Sequence, residues 1–210
     1  IFNIKSEKIF KYKNKNIFYI ISFNLIIFFN ITLFSSFFRM SINMMFYFLV
    51  IIFLLSIKNF LHQLKNNYYL LFVFINLALF LKISVDPSLG WDGVTNWYPK
   101  AYNFMEGGDF YDLINYNKPT YPHLGTFIWA IFWNYSFLDY EYFGRYIYVF
   151  TYLASIFFLI SYKKKIDFKN ILIIIFLLII TYDLSLFKGY QEFLIFGFIN
   201  IFVVLFFNEK

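Results

Sequence analysis

Residues 17–38 run for a full bilayer thickness without one charged side chain. A helix needs roughly 20 apolar residues to cross the hydrocarbon core, so this run restricts the chain to architectures that place such a helix in lipid. A soluble helical bundle with a greasy interior is the competing architecture, and composition excludes it. Of the 210 residues, 61% are hydrophobic and 27% aromatic, with a mean hydropathy of +0.63. Too few polar residues remain to cover a soluble surface. The fold class expected is therefore all-α: a polytopic transmembrane helical bundle with an outer loop of juxtamembrane helices.

The apolar segments 17–38, 41–57, 68–84, 142–161, 170–184 and 190–207 read as six spans of a single transmembrane domain, with an outer loop over 85–141. Charges orient them. Lys5, Lys8, Lys11, Lys13 and Lys15 precede the first span, Lys58 and Lys65 follow the second, and Lys163, Lys164, Lys165 and Lys169 follow the fourth. The positive-inside rule places all three clusters in the cytoplasm if the apolar stretch 121–135 does not cross. That stretch is short for a span, opens at Pro122 and carries His123 and Asn134. It is expected to form a helix over 122–135 in the membrane interface, the layer that suits Trp129 and Trp133.

The net charge of +6 does not make a nucleic-acid surface, because the lysines mark segment ends and form no basic stripe. With no cysteine, disulfides and thiolate metal sites are excluded. The chain starts at Ile1 and stops just after an apolar segment, which suggests an N-terminal fragment of a longer protein.

The loop is not a generic connector. All 4 prolines and all 4 tryptophans fall within residues 87–133, as do five of the 8 glycines (Gly90, Gly93, Gly107, Gly108 and Gly125). Spanning helices need none of these, whereas a shaped backbone does. A helix is expected over 96–106, with Asn96 as its cap, Pro99 in its first turn and Gly107-Gly108 at its end. Taken alone, Asp92 reads as a cap or a solvated acid, His123 as an interfacial polar residue and Arg145 as an anchor at a helix end.

The order Trp91-Asp92-Gly93, Trp97, Lys100-Ala101, Gly107-Gly108 and Tyr121-Pro122-His123-Leu124 resembles the first outer loop of polytopic glycosyltransferases of the C superfamily. Protein O-mannosyltransferases and the lipid A aminoarabinose transferase are relatives. The resemblance covers roughly residues 85–205. It departs from the usual pattern at His123, where a second proline is common, and in having two extra spans ahead of the loop. It implies transfer of a sugar from a polyprenyl-phosphate donor to an acceptor hydroxyl on the non-cytoplasmic face, in a bacterial inner membrane. Asp92 matches the catalytic acid and Arg145 the arginine near the next span. Gly189-Tyr190-Gln191-Glu192 matches a later acidic string.

The residue types suit that chemistry. A base must take the acceptor proton, and a cation or metal must stabilise the departing phosphate. Arg145, Lys100 and Lys188 are the candidate phosphate ligands. Glu192, His123 and Asp86 are candidates for orienting the acceptor or holding a divalent ion. A transporter or flippase without bond chemistry is a rival reading, weakened because the span interiors hold Asn24, Asn30, Asn76 and Asn200 but no acid or base. A polysaccharide polymerase or ligase is another.

Overall fold

The computed structural model describes residues 17–38, 40–45, 47–51, 54, 67–134, 139–161, 167–183 and 186–208. Among these there is no strand. The helices are α1 (Ile17–Phe37), α2 (Asn67–Val85), α3 (Tyr98–Met105), α4 (Leu124–Asn134), α5 (Glu141–Ser161), α6 (Phe168–Asp183) and α7 (Glu192–Asn208). A π-helical turn (Gly93–Trp97) leads into α3, and a 3₁₀ turn (Phe110–Asn115) follows it.

Three helices are long and apolar enough to cross a membrane: α1, α2 and the stretch Glu141–Ile160 of α5. That is fewer than the six expected. With 16 and 17 residues, α6 and α7 reach about 24–26 Å at 1.5 Å per residue, short of a hydrocarbon core of roughly 30 Å. Of the expected segment 41–57, residues 42–45 and 47–51 are helical, and 55–57 lie outside the described residues.

The long helices survive with polar residues inside them because those side chains bond their own backbone. In α1, Asn30 Nδ2 donates to Ile26 O at 2.8 Å, Thr32 Oγ1 to Phe29 O at 2.9 Å and Ser35 Oγ to Ile31 O at 2.8 Å. Each polar group is satisfied one turn back, as an apolar medium demands. Other polar groups tie helices together. Tyr146 Oη of α5 donates to Asn76 O of α2 at 2.6 Å, and Asn200 Nδ2 of α7 donates to Ser155 Oγ of α5 at 3.2 Å. In a membrane such bonds contribute on the order of 1 kcal/mol each.

Helix α5 is the hub. Its apolar window is 72% buried, against 44% for α1 and 22% for α2. The outward faces of the peripheral helices are strongly apolar, with Phe74, Leu81, Phe176, Ile179, Phe202 and Phe206 exposed. Water would not tolerate continuous apolar faces of this kind on a monomer.

Helix α4 departs from its expected setting. It is buried on nearly every side, with Trp129 fully covered and Trp133 almost so. Both tryptophans thus pack against protein. The reason is Gly144 of α5, where a Cβ would collide with the Trp129 carbonyl, so α4 lies directly on α5. Gly144→Val is expected to lower stability by about 1–3 kcal/mol through overpacking, measurable as earlier thermal unfolding in detergent. Both ends of α4 remain on the loop side: His123 bonds Ser36 at the end of α1, and Asn134 Nδ2 donates to Asn43 Oδ1 at 3.4 Å. An 11-residue helix is about 16 Å long, half a bilayer core.

Candidate active site

Chain segments far apart in sequence meet where α2 ends and α5 and α7 begin. The segment after α2 lies along the turn before α7, joined by Gly90 N–H donating to Lys188 O at 2.9 Å. Gly93 permits this approach, since a Cβ there would stand 2.6 Å from the same carbonyl. The closeness draws the loop acids and Lys188 into one neighbourhood.

Asp86 and Lys188, 102 residues apart, form an ion pair of 3.4 Å. Ser88 joins them, donating from both its hydroxyl and its backbone N–H to Asp86 Oδ1 and accepting from Lys188 Nζ. The two bonds from Ser88, with a smaller contribution from Lys188, hold the Asp86 carboxyl down at about 2. The stability linked to Asp86 is present above the ordinary carboxylate range and is lost as pH falls through about 2. Lys188 is 31% exposed and Asp86 50%, so the pair faces solvent and a ligand could displace it. Such an exposed pair is screened by solvent, so exchanging it costs little.

Arg145 sits directly beneath. It is 1% exposed, and its guanidinium donates to Ser88 O at 3.0 Å, Phe187 O at 2.8 Å and Pro87 O. Its Nε lies 3.2 Å from Glu141 Oε1, one turn back on α5. Three guanidinium hydrogen bonds thus go to backbone carbonyls, while Nε faces one carboxylate. The expected phosphate role does not match this setting: Arg145 is a clamp joining the loop to the turn before α7.

Asp92 also differs from a simple cap. Its backbone is already helical, with φ −64° and ψ −33°, and the π-helical turn follows directly. Asn96, expected to cap a helix, instead lies inside this turn and is 1% exposed. The helical backbone starts before it, and Pro99 explains the wide turn. Proline has no N–H to donate one turn back, and the Tyr98 N–H reaches Gly93 O, five residues away. The Asn96 side chain donates to Asp92 Oδ1 at 2.8 Å and accepts from Asn117 Nδ2 at 2.8 Å. Asp92 is therefore held by a two-amide relay and stays partly exposed. The end of α3 matches expectation, with Gly107 at φ +91°.

Lys100 and His123 are placed elsewhere. Lys100 is fully buried, donates from Nζ to Lys118 O at 2.6 Å and stands 5.6 and 5.8 Å from the Trp97 and Tyr121 rings. Burial lowers its pKa, and it braces the loop from within. His123 Nε2 lies 3.1 Å from Ser36 Oγ, among the rings of Phe37, Phe104 and Phe110. Ser36 Oγ donates to Leu33 O at 2.7 Å, which assigns the shared proton to His123 Nε2. Burial, and then the charge of Lys100, lowers the His123 pKa. Glu192 is exposed in the first turn of α7.

Among the described residues, no group of three or more His, Asp or Glu gathers to hold a metal ion. No family model, curated protein or solved structure matches this chain. Function therefore rests on the geometry alone. Residue-by-residue reading missed three members of the site: Ser88, Asn117 and Glu141. Only Glu141 carried a signal, its spacing of four residues from Arg145 at the head of a helix.

Proposed function

We propose that this chain is a polytopic membrane protein that transfers a sugar from a polyprenyl-phosphate donor to an acceptor hydroxyl on the non-cytoplasmic face. The observation that carries the reading is the packing of the Asp92 turn on Lys188. The turn that carries this oriented acid lies against the backbone of the segment that carries the half-exposed cation, distant in sequence, at the ends of apolar helices.

In the proposed reaction, the acceptor oxygen attacks the anomeric carbon and Asp92 takes the acceptor proton. The bond from that carbon to the phosphate oxygen breaks, and the phosphate leaves with the electron pair. Lys188 meets the developing charge, exchanging Asp86 and Ser88 for phosphate oxygens. Arg145 positions both segments without touching the donor. Glu192, exposed at the head of α7, is the remaining acid available to orient an acceptor. π-helical turns such as this one are often found at functional sites.

Topology and activity test the reading separately. With cysteine placed at Asn117, an impermeant thiol reagent outside sealed cells should label the chain; at Asp167 it should not. The opposite pattern would sink the orientation. Vesicles carrying the chain should release polyprenyl phosphate from a labelled polyprenyl-phosphate hexose when hydroxyl acceptors are supplied. Donor that remains intact with every acceptor class would sink the transferase.

A further inference from the structure

Asp92, Asn96 and Lys100 recur at every fourth position along the helical run that opens the loop. Residues at that spacing lie above one another on one side of a helix. Asn96 and Lys100 are 1% and 0% exposed, and both reach the same dipeptide, Asn117-Lys118. Lys100 Nζ donates to the Lys118 carbonyl at 2.6 Å, and Asn96 Oδ1 accepts from Asn117 Nδ2 at 2.8 Å. The other end of the Asn96 amide donates to Asp92 Oδ1, also at 2.8 Å.

An ammonium is a poor filler for this space. Its burial is opposed by desolvation, which one carbonyl and the faces of Trp97 and Tyr121, 5.6 and 5.8 Å away, must offset. Methionine would fill a similar volume without that penalty. What the ammonium adds is a hold on the Lys118 carbonyl, which also accepts from the Tyr121 N–H at 3.1 Å. Lys118 has φ +48°, a conformation that residues with a side chain seldom adopt and that the surroundings must maintain. Asn117 is exposed and directly precedes it, so the aim of its amide follows the turn. With Asn117 donating, Asn96 must show its oxygen to Asn117 and its NH₂ to the acid.

We infer that Lys100 is a positioning residue for Asp92, acting through the turn at Asn117-Lys118 and the Asn96 amide. The consequence for transfer rests on the function proposed above; the linkage between the two side chains does not. A lysine that held the donor phosphate would act on KM, whereas one that aims the base acts on kcat.

Carbodiimide-driven coupling of glycinamide to carboxylates, mapped by mass spectrometry on the full chain in detergent, reads the linkage without any donor. Lys100→Met and Asn117→Ala should each raise the labelling rate of Asp92 by roughly threefold or more, the factor that accompanies one lost hydrogen bond. Asp86, Asp109, Asp112 and Glu192 should keep their rates, which separates a local release from a loosened loop. In the transfer assay, Lys100→Met should lower kcat by about 10–100-fold at an unchanged donor KM, as for a misaimed base. Asn117→Ala, at an exposed position, carries both measurements if Lys100→Met fails to fold. Asp92 labelling indifferent to both variants, or a rise shared by Asp109 and Asp112, would overturn the proposal. So would a raised donor KM at unchanged kcat. A selective labelling response in a protein without transfer activity would keep the linkage and discard the transferase. The same response with kcat unaffected would keep the transferase and discard the positioning role.

Discussion

Asp92→Asn is expected to reduce sugar transfer by roughly 10²–10⁴-fold while membrane insertion and thermal unfolding stay unchanged. The side chain keeps its shape and can still meet Asn96, so the π-helical turn loses no packing. What disappears is the capacity to accept a proton. Asn96→Ala should give a smaller loss, because it frees the carboxylate to rotate without removing it. The measurement is single-turnover release of polyprenyl phosphate at saturating donor. If Asp92→Asn transfers at the full rate, Asp92 is not the base. Asp86 would then be the next candidate, although its depressed pKa makes it a weaker one.

The second large effect belongs to Arg145, and it concerns folding. Arg145→Met would strand three backbone carbonyls and leave the largely buried Glu141 without its ion-pair partner. Breaking a buried pair in this way costs about 3–5 kcal/mol, a large share of the stability of an ordinary domain. The expected result is aggregation on extraction from the membrane, read by size-exclusion chromatography in detergent. Combining Arg145→Met with Glu141→Gln should show a loss that differs from the sum of the two single losses, since the residues are in contact. Arg145→Lys should fall between, because one ammonium cannot reach three carbonyls from the planar fork's directions. A phosphate-binding role predicts a different outcome: a folded Arg145→Met protein with a raised KM for the donor. That result would remove the clamp assignment.

The two residues show what a sequence can and cannot reveal. The extent of α1 was legible to within a residue, 17–38 against Ile17–Phe37, because absence of charge and helix breakers is a local property. The bounds of the loop were legible for the same reason. Gly107 was readable as a helix end, since few other residues adopt its φ. The role of Arg145 was not readable, because its partners are backbone carbonyls that any sequence would carry. Asn96 misled for a related reason: its type suits a cap, and only the early start of the helix turned it inward. The packing of Trp129 against protein was not readable, because tryptophan favours both interfaces and cores and the close approach rests with Gly144, fifteen residues further on.

The wide turn at Gly93–Trp97 also acts as a phase shifter. Successive residues of a regular helix point about 100° apart around its axis. One additional residue in the turn therefore rotates everything before it by that angle relative to everything after it. Ala101 and Phe104 face the interior on one side of the shift, and Asp92 faces the opening on the other. The bearing of the acid and the packing of α3 are thereby uncoupled. A one-residue deletion within the turn would swing the carboxylate through about a quarter of a circle while α3 kept its packing on α4.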